Sequence, residues 1–229
     1  MQFDTALPLP SDRCRAALAI AGTTCVALFA LWHHPVATKT SSLQESLAQL
    51  VALQLSDGVV HGGLIVMLAI LSACLRVFSA LIGRRRAPVM LATAAYGIGC
   101  GLVLLAMLLD GFVVPQLARQ FIAAPHSEVE VVYVVLRVIG TVIQVLTKAG
   151  LLSMCVALLA WSCALASTPA VRWSRWGAAL GGAVGLLPGF FIMLADVRLT
   201  PATLMAIFGL HCVWNLGVAA ILIRSSRGA

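Results

Sequence analysis

Histidines and carboxylates lie beside the ends of three apolar segments, and these side chains are well suited to binding a metal. His33 follows the first apolar segment, His61 lies near the start of the second, and Asp110 closes the third. If the segments form adjacent helices, these ligands converge, and such a set suits zinc, copper, iron or nickel. No H-x-x-x-H or H-E-x-x-H pair fixes the spacing on one helix. The pattern favours the hypothesis of a transition-metal site. The alternative is that the histidines lie at the membrane interface and act only as polar caps.

A second set of polar side chains shares one face of the fourth apolar segment. Five of them project within about 60° of one another on a helix: Glu130, Arg137, Thr141, Gln144 and Lys148. Polar and charged side chains inside a membrane usually face a partner, a cavity or water. The stripe predicts an outward-open pocket where Arg137 and Lys148 hold an anion or a lipid headgroup. Alternatively, the stripe pairs with Asp110, Asp196 or Glu130 and joins helices, or a partner subunit covers it.

His211 lies roughly 15 Å into the sixth apolar segment, with Asn215 one turn further on the same face. It completes the predicted ligand-binding set, which is Asp110, Arg137, Gln144, Lys148 and His211. A bis-histidine haem would need His61 and His211 at one depth, but they differ by roughly 10 Å, which argues against haem. No G-x-S-x-G turn, P-loop or Rossmann glycine pattern occurs, so no catalytic residue is assigned and nucleotide binding is not expected.

The composition requires that apolar helices position these residues. Of 229 residues, 61% are hydrophobic and 10% are charged, whereas soluble chains are about 45–50% apolar and about 25% charged. Soluble, disordered and disulfide-stapled classes are therefore excluded. A spanning helix needs about 20 apolar residues. The sequence predicts one integral membrane domain over 1–229, an all-α bundle with spans at 15–32, 58–82, 88–113, 141–166, 174–195 and 201–223.

The positive charge predicts the orientation of the bundle. Nine arginines flank the spans on the side of the N-terminus: Arg13, Arg15, Arg84, Arg85, Arg86, Arg172, Arg175, Arg224 and Arg227. Four basic residues lie on the other side: Lys39, Arg119, Arg137 and Arg198. Cytoplasmic loops carry the excess of lysine and arginine, so both termini are expected in the cytoplasm. The net charge of +7 is then a topology signal, and no nucleic-acid partner is expected because no basic face interleaved with aromatic residues occurs.

The first outer loop carries a helix-start signal. Ser42 and Glu45 have the S-x-x-E spacing of a capping box, and Leu43, Leu47, Leu50 and Val51 then recur at helical spacing. We expect a short amphipathic helix on the outer membrane surface, as a connector or as a lid. Residues 131–166 are too long for one perpendicular span, so this segment tilts or projects beyond the bilayer.

Glycines at every fourth position mark the fifth span: Gly177, Gly181, Gly185 and Gly189. Small residues on one stripe let another helix approach closely. The stripe predicts tight packing within the chain or across a homodimer. Gly97 and Gly101 form a weaker version in the third span, and Pro188 is expected to bend the fifth.

Several short motifs resemble those of a widespread family of bacterial six-helix inner-membrane proteins that has no established activity. They are His33-His34-Pro35, Val60-His61-Gly62, the run from Asp110 to Pro115, Arg175-Trp176-Gly177 and Trp214-Asn215. The resemblance implies a multi-pass protein of the bacterial inner membrane. Family members often carry Asp-Val-His after the fifth span, whereas this chain has Asp196-Val197-Arg198.

Two classes of function follow from these patterns. In the first, an outward-facing polar pocket of His/Asp and Arg/Lys binds a ligand or a metal ion, and whether it also catalyses a reaction stays open. In the second, the protein is a non-catalytic accessory or assembly subunit whose polar stripe contacts another membrane protein. A transporter has less support, because the sequence shows no internal repeat. The expected partners are membrane lipids and a membrane protein or a second copy.

Overall fold

The computed structural model describes residues 8–36, 38, 40–168, 171, 173–194 and 198–226, and this part of the chain is helical without strands. The helices are α1 (Pro10–Trp32), α2 (Leu43–Ile82), α3 (Ala87–Leu108), α4 (Val114–Phe121), α5 (His126–Ala166), α6 (Ser174–Leu194) and α7 (Pro201–Ser226), with a π-helical turn, Leu109–Val113, between α3 and α4. Lys39, Arg172, Asp196 and Arg227 lie outside the described residues.

Within the described residues, six helical stretches are long and apolar enough to cross a membrane. The outward sides of these helices carry large apolar side chains. On α6, for example, Leu186, Leu187, Phe190 and Met193 are exposed, as expected for a face that contacts lipid. The class predicted from composition, an all-α multi-pass membrane protein, is confirmed.

Helix α2 begins where the capping box predicts but does not end in the loop. The Ser42 hydroxyl accepts a hydrogen bond from the Glu45 amide at 3.2 Å, and the Glu45 carboxylate accepts one from the Ser41 amide at 3.0 Å. The helix then continues to Ile82 over 40 residues. The predicted short loop helix is thus the first part of one rod about 60 Å long, twice the thickness of a bilayer core.

The extended ends of the long helices share a small core of their own. Leu47 of α2, Ala118 of α4, and Val129 and Val132 of α5 are buried together. We call the start of α2, α4 and the start of α5 the helical cap. The first part of α5 therefore packs in this cap. It includes the start of residues 131–166, the segment that was predicted to be too long for one perpendicular span.

Arginines close the opposite end of the bundle by capping helix ends. Arg13 is buried and donates to the carbonyls of Pro8 and Ser225, each at 2.8 Å, which ties the start of α1 to the end of α7. Arg86 donates to the carbonyls of Ile82 and Ala164, each at 3.1 Å, at the ends of α2 and α5. The bonds to Ser225, Ile82 and Ala164 satisfy carbonyls in the last turns of helices, which lack backbone partners in their own helix. The described chain therefore begins and ends at the same end of the bundle.

The glycine stripe of α6 lies against α5 and α7 of the same chain. A Cβ atom added at Gly181 would lie 2.5 Å from a ring carbon of Trp214 in α7. One added at Gly185 would lie 2.9 Å from the Cys155 carbonyl oxygen in α5. These positions have no room for a side chain, so the stripe serves packing within the chain.

The two ends of this stripe differ in tightness. A Cβ atom at Gly177 would lie 2.7 Å from a methyl carbon of Ile221, whereas one at Gly189 would meet Cys155 at 3.6 Å, an ordinary contact. The close approach therefore covers three of the four glycines.

The predicted pairing through Gly97 and Gly101 is wrong, because both positions face open space. Gly99 makes the close contact instead. A Cβ atom there would lie 2.8 Å from the Gly150 carbonyl oxygen, and one at Gly150 would lie 2.9 Å from the Gly99 carbonyl oxygen. The two backbones of α3 and α5 thus touch at a reciprocal pair of glycines.

We expect Gly181→Leu or Gly185→Leu to lower the thermal stability of the detergent-solubilised protein. Overpacking of a filled contact costs about 1–3 kcal/mol in soluble cores. Gly182→Leu is the matched control, since nothing lies within 4 Å of a Cβ atom at Gly182. Equal stability of all three variants would show that the stripe does not support the bundle.

Candidate metal site

Four polar side chains from three elements meet between the end of α1, the middle of α2 and the π-helical turn. His34 follows α1, Asp57 and His61 lie one turn apart in α2, and Asp110 lies in the turn. The Nε2 atoms of His34 and His61 are 3.4 Å apart, and Asp110 Oδ2 lies 3.4 Å from His61 Nε2. We call these four residues the His/Asp cluster.

Backbone hydrogen bonds fix the tautomer of both histidines. His61 Nδ1 lies 2.9 Å from the Asp57 carbonyl oxygen, and His34 Nδ1 lies 2.8 Å from that of Pro35. A carbonyl oxygen can only accept a hydrogen bond, so each Nδ1 must carry the proton. In a neutral imidazole the other nitrogen, Nε2, then offers a lone pair. The two lone pairs face each other across 3.4 Å.

The carboxylates add further acceptors to the same space. Asp57 Oδ1 lies 4.0 Å from His34 Nε2 and 3.6 Å from His61 Nδ1, and it is buried without a hydrogen-bond partner among the described residues. One ligand atom each from His34, Asp57 and His61 lies within 4.8 Å of the other two. Converging lone pairs repel one another unless a cation, either a proton or a metal ion, lies between them.

The π-helical turn brings Asp110 into reach because its neighbour is a glycine. A Cβ atom at Gly111 would lie 2.5 Å from His61 Cβ, so any side chain there would push the turn away from α2. Pro115 has no amide proton to donate back into the turn. The Val114 amide donates to the Leu109 carbonyl, five residues back, which completes the π-helical register. Such turns are frequent at functional sites.

Two further glycines of α2 lie beside the turn, at distances where an added Cβ atom would make an ordinary contact. Cβ atoms added at Gly58 and Gly62 would lie 3.8 Å and 3.7 Å from the ring of Phe112. The Val60-His61-Gly62 and Asp110-Gly111-Phe112 motifs are therefore two sides of one contact, with the His61 ring next to Gly111.

His33, a predicted metal ligand, lies outside the cluster, and its neighbour His34 lies inside. The His33 side chain is exposed and caps its own helix, with Nδ1 2.9 Å from the Phe29 carbonyl oxygen. Helix α1 ends at Trp32, and the chain beyond His33 turns so that His34 faces α2. Asp57 is a further member that the sequence reading missed, although its i, i+4 spacing to His61 was a usable signal.

An apolar cavity of about 280 Å³ opens beside the cluster. His34, His61, Asp110, Gln144 and Thr147 provide its polar wall. Its remaining lining comes chiefly from leucine, valine, methionine and phenylalanine side chains of α3, α5 and α7. A mostly apolar pocket with a few convergent polar groups is typical of small-molecule sites.

Two predicted ligand-binding residues differ from the rest: Gln144 lines both this cavity and a neighbouring groove but also binds the backbone, and His211 lines neither. The Gln144 side-chain amide donates to the Leu199 carbonyl at 2.9 Å and accepts from the Leu199 amide at 2.8 Å, so it clamps the segment before α7. His211 is buried in α7, with Nδ1 3.0 Å from the Ile207 carbonyl oxygen. His211 is absent from the lining of both this cavity and the groove described next.

Arg137 and Lys148 line a separate groove of about 620 Å³ next to the cavity, which we call the cationic groove. Arg198, which the sequence reading used only for orientation, lines the same groove, as do Thr141, Gln144 and Asp110. Glu130 points elsewhere and lies 3.4 Å from the exposed His126. The polar stripe of α5 therefore faces a concave surface along most of its length.

The fold and the site together define a multi-pass membrane protein with a His/Asp cluster between an apolar cavity and a cationic groove. No protein-family model, curated protein or solved structure matches this chain. The assignment of function therefore depends on the arrangement of its own residues.

We expect the neutral imidazoles of His34 and His61 to carry their proton on Nδ1. The ¹⁵N NMR spectrum of histidine-labelled protein, assigned through His34→Gln and His61→Gln, reports the tautomer. The exposed His126, whose Nε2 faces Glu130, is the internal comparison. A proton on Nε2 of either cluster histidine in its neutral form would contradict the inferred hydrogen bonds.

Proposed function

We propose that this membrane protein binds a divalent transition-metal ion at the His/Asp cluster. A single observation carries the proposal. With the proton of each neutral imidazole on Nδ1, the Nε2 atoms of His34 and His61 converge with the oxygens of two aspartates, and Asp57 Oδ1 has no hydrogen-bond partner among the described residues. A metal ion would replace the mutual repulsion of these atoms by coordination.

The spacing of the ligand atoms supports a small ion with short bonds. Zinc binds imidazole nitrogen at about 2.0–2.1 Å in a tetrahedral site, which gives about 3.3 Å between ligand atoms. The two 3.4 Å distances at His61 Nε2, to His34 and to Asp110, are close to this value. The distance from His34 Nε2 to Asp57 Oδ1 is longer, at 4.0 Å, and would have to shorten for Asp57 to coordinate the same ion. A mixed nitrogen and oxygen set also suits copper, iron and nickel.

The backbone bonds of the histidines act as the outer shell of this site. Metal-binding histidines almost always donate their other ring nitrogen to a carbonyl or carboxylate, which fixes the ring orientation. His34 and His61 both do so in this structure. The ligands are therefore preorganised, which lowers the entropy lost on binding.

Asp110 connects the metal site to the surroundings. Its side chain is 44% exposed, whereas that of His61 is 5% exposed. Asp110 also lines both the apolar cavity and the cationic groove. A metal held here would be reached through these openings.

We place the protein in a bacterial inner membrane with the arginine-capped end of the bundle in the cytoplasm. Arg13 and Arg86 lie at that end, together with Arg224, whose guanidinium lies 4.9 Å from the Trp173 ring centroid. Cytoplasmic loops carry the excess of basic residues. The His/Asp cluster would then open towards the periplasm.

For topology, we expect Arg85→Cys to react with a thiol reagent only from the cytoplasm and Arg119→Cys to react from outside. Both substitutions are made in a chain whose seven native cysteines are replaced by alanine. Labelling with a membrane-impermeant maleimide on intact and permeabilised spheroplasts distinguishes the two sides. The reverse pattern would invert the proposed orientation.

For metal binding, we expect purified protein without a polyhistidine tag to bind one Zn²⁺ ion per chain. His34→Ala and His61→Ala should each weaken binding more than tenfold, because each removes a ligand. His33→Ala is the matched control, since this adjacent histidine lies outside the cluster. Elemental analysis and titration calorimetry provide the measurements.

Two outcomes would refute the metal proposal. One is the absence of saturable binding of Zn²⁺, Cu²⁺, Fe²⁺ and Ni²⁺ by folded protein. The other is an equal loss in His33→Ala, which would place the ion at the surface. Asp57→Asn, which keeps the shape of the side chain, tests whether the buried carboxylate takes part.

A further inference from the structure

Three basic side chains line the cationic groove. Arg137 and Lys148 reach it from α5, and Arg198 reaches it from the segment before α7. Asp110 is the one carboxylate in its lining among the described residues. Two arginines against this one carboxylate, which faces His61 at 3.4 Å, leave the described lining with an excess of positive charge even if Lys148 is not counted.

The two arginines of the groove have no acidic partner in the described part of the chain. No carboxylate oxygen there lies within 4.0 Å of Arg137 or Arg198. Both arginines are exposed, so an anion can reach them from outside the bundle. An anion with several oxygens would satisfy two guanidinium groups at once.

The groove continues into the apolar cavity. Asp110, Ile143 and Gln144 line both spaces and form their common wall. On the cavity side, Val103 and Phe208 are among the apolar side chains that follow this wall. A molecule that occupies both spaces must have an anionic end and an apolar end.

We infer that the groove and the cavity together bind a long-chain phosphate monoester. Its phosphate lies between Arg137, Lys148 and Arg198, and its chain lies in the apolar cavity. A phosphate monoester carries a charge of about −1.5 to −2 at pH 7, which offsets the excess of the groove. A zwitterionic headgroup has no net charge and gains less. None of the three cations belongs to the His/Asp cluster, although Asp110 of that cluster also lines the groove.

The test uses detergent-purified, chelator-treated protein and dodecyl phosphate as the probe. Two further compounds separate the contributions: dodecylphosphocholine has the same chain with a zwitterionic head, and inorganic phosphate has no chain. We expect dodecyl phosphate to bind at least tenfold more tightly than either compound. Native mass spectrometry and titration calorimetry measure the affinities. Binding in the presence of chelator keeps this result separate from the metal site.

Matched variants locate the two ends of the ligand. The double variant Arg137→Gln/Arg198→Gln should weaken dodecyl phosphate at least tenfold, whereas Arg119→Gln, an exposed arginine of α4 outside the groove, should not. Met205→Trp narrows the apolar cavity and should weaken the same probe. Val213→Trp on the exposed side of α7 controls for the added bulk.

Three results would overturn the inference. Unchanged affinity in the double arginine variant would remove the groove as the phosphate site. Inorganic phosphate that binds as tightly as dodecyl phosphate would show a free-anion site without a chain pocket. Dodecylphosphocholine that binds as tightly as dodecyl phosphate would show a general detergent surface. Circular dichroism confirms that each variant is folded before its affinity is compared.

Discussion

The close approach of the π-helical turn to α2 is the constraint on which the site depends. A Cβ atom at Gly111 would lie 2.5 Å from His61, so the contact exists because residue 111 has no side chain. This contact brings Asp110 to His61 Nε2 and places the same carboxylate on the wall between the cavity and the groove. If the turn moved outwards by the width of a methyl group, the cluster would lose Asp110 and the two spaces would lose part of their common wall. The local geometry of one glycine therefore links three parts of the site.

The sequence predicted the features that depend on composition and long periodicity. Six apolar helices, the capping box at Ser42 and the helical register of the α5 stripe all follow from patterns that extend over many residues. Prediction from the sequence failed where a shift of one residue changes which side chain faces a neighbouring element. Each residue turns a helix by 100°, so Gly99 rather than Gly97 or Gly101 makes the backbone contact. The end of α1 at Trp32 agrees with the predicted span, but the direction of the chain beyond it could not be read from periodicity, and His34 rather than His33 lies in the cluster. Arg198 was missed as a site residue because a connecting segment has no periodicity from which its direction could be read.

Arginines in this chain have two kinds of environment. Arg13 and Arg86 donate to backbone carbonyls at helix ends and need no further partner. Arg137 and Arg198 line a groove and have no carboxylate nearby among the described residues. The first pair explains how a basic end stabilises the bundle, since helix carbonyls there would otherwise lack partners. The second pair caps no helix end among the described residues, so its guanidinium groups are available to bind an anion in the groove.

Because α2 is one continuous helix, the contacts near its start and near its middle constrain the number of residues between them. Leu47 packs in the helical cap, while Asp57 and His61 belong to the cluster further along the same helix. One residue inserted between them would rotate one group by 100° relative to the other. Either Leu47 would leave Ala118, or His61 would turn away from the π-helical turn. A change of seven residues, about two turns, would nearly restore the phase but would move the two groups about 10 Å further apart along the helix axis. The length of α2 between the two contacts can therefore change only if the elements packed against it change in length as well.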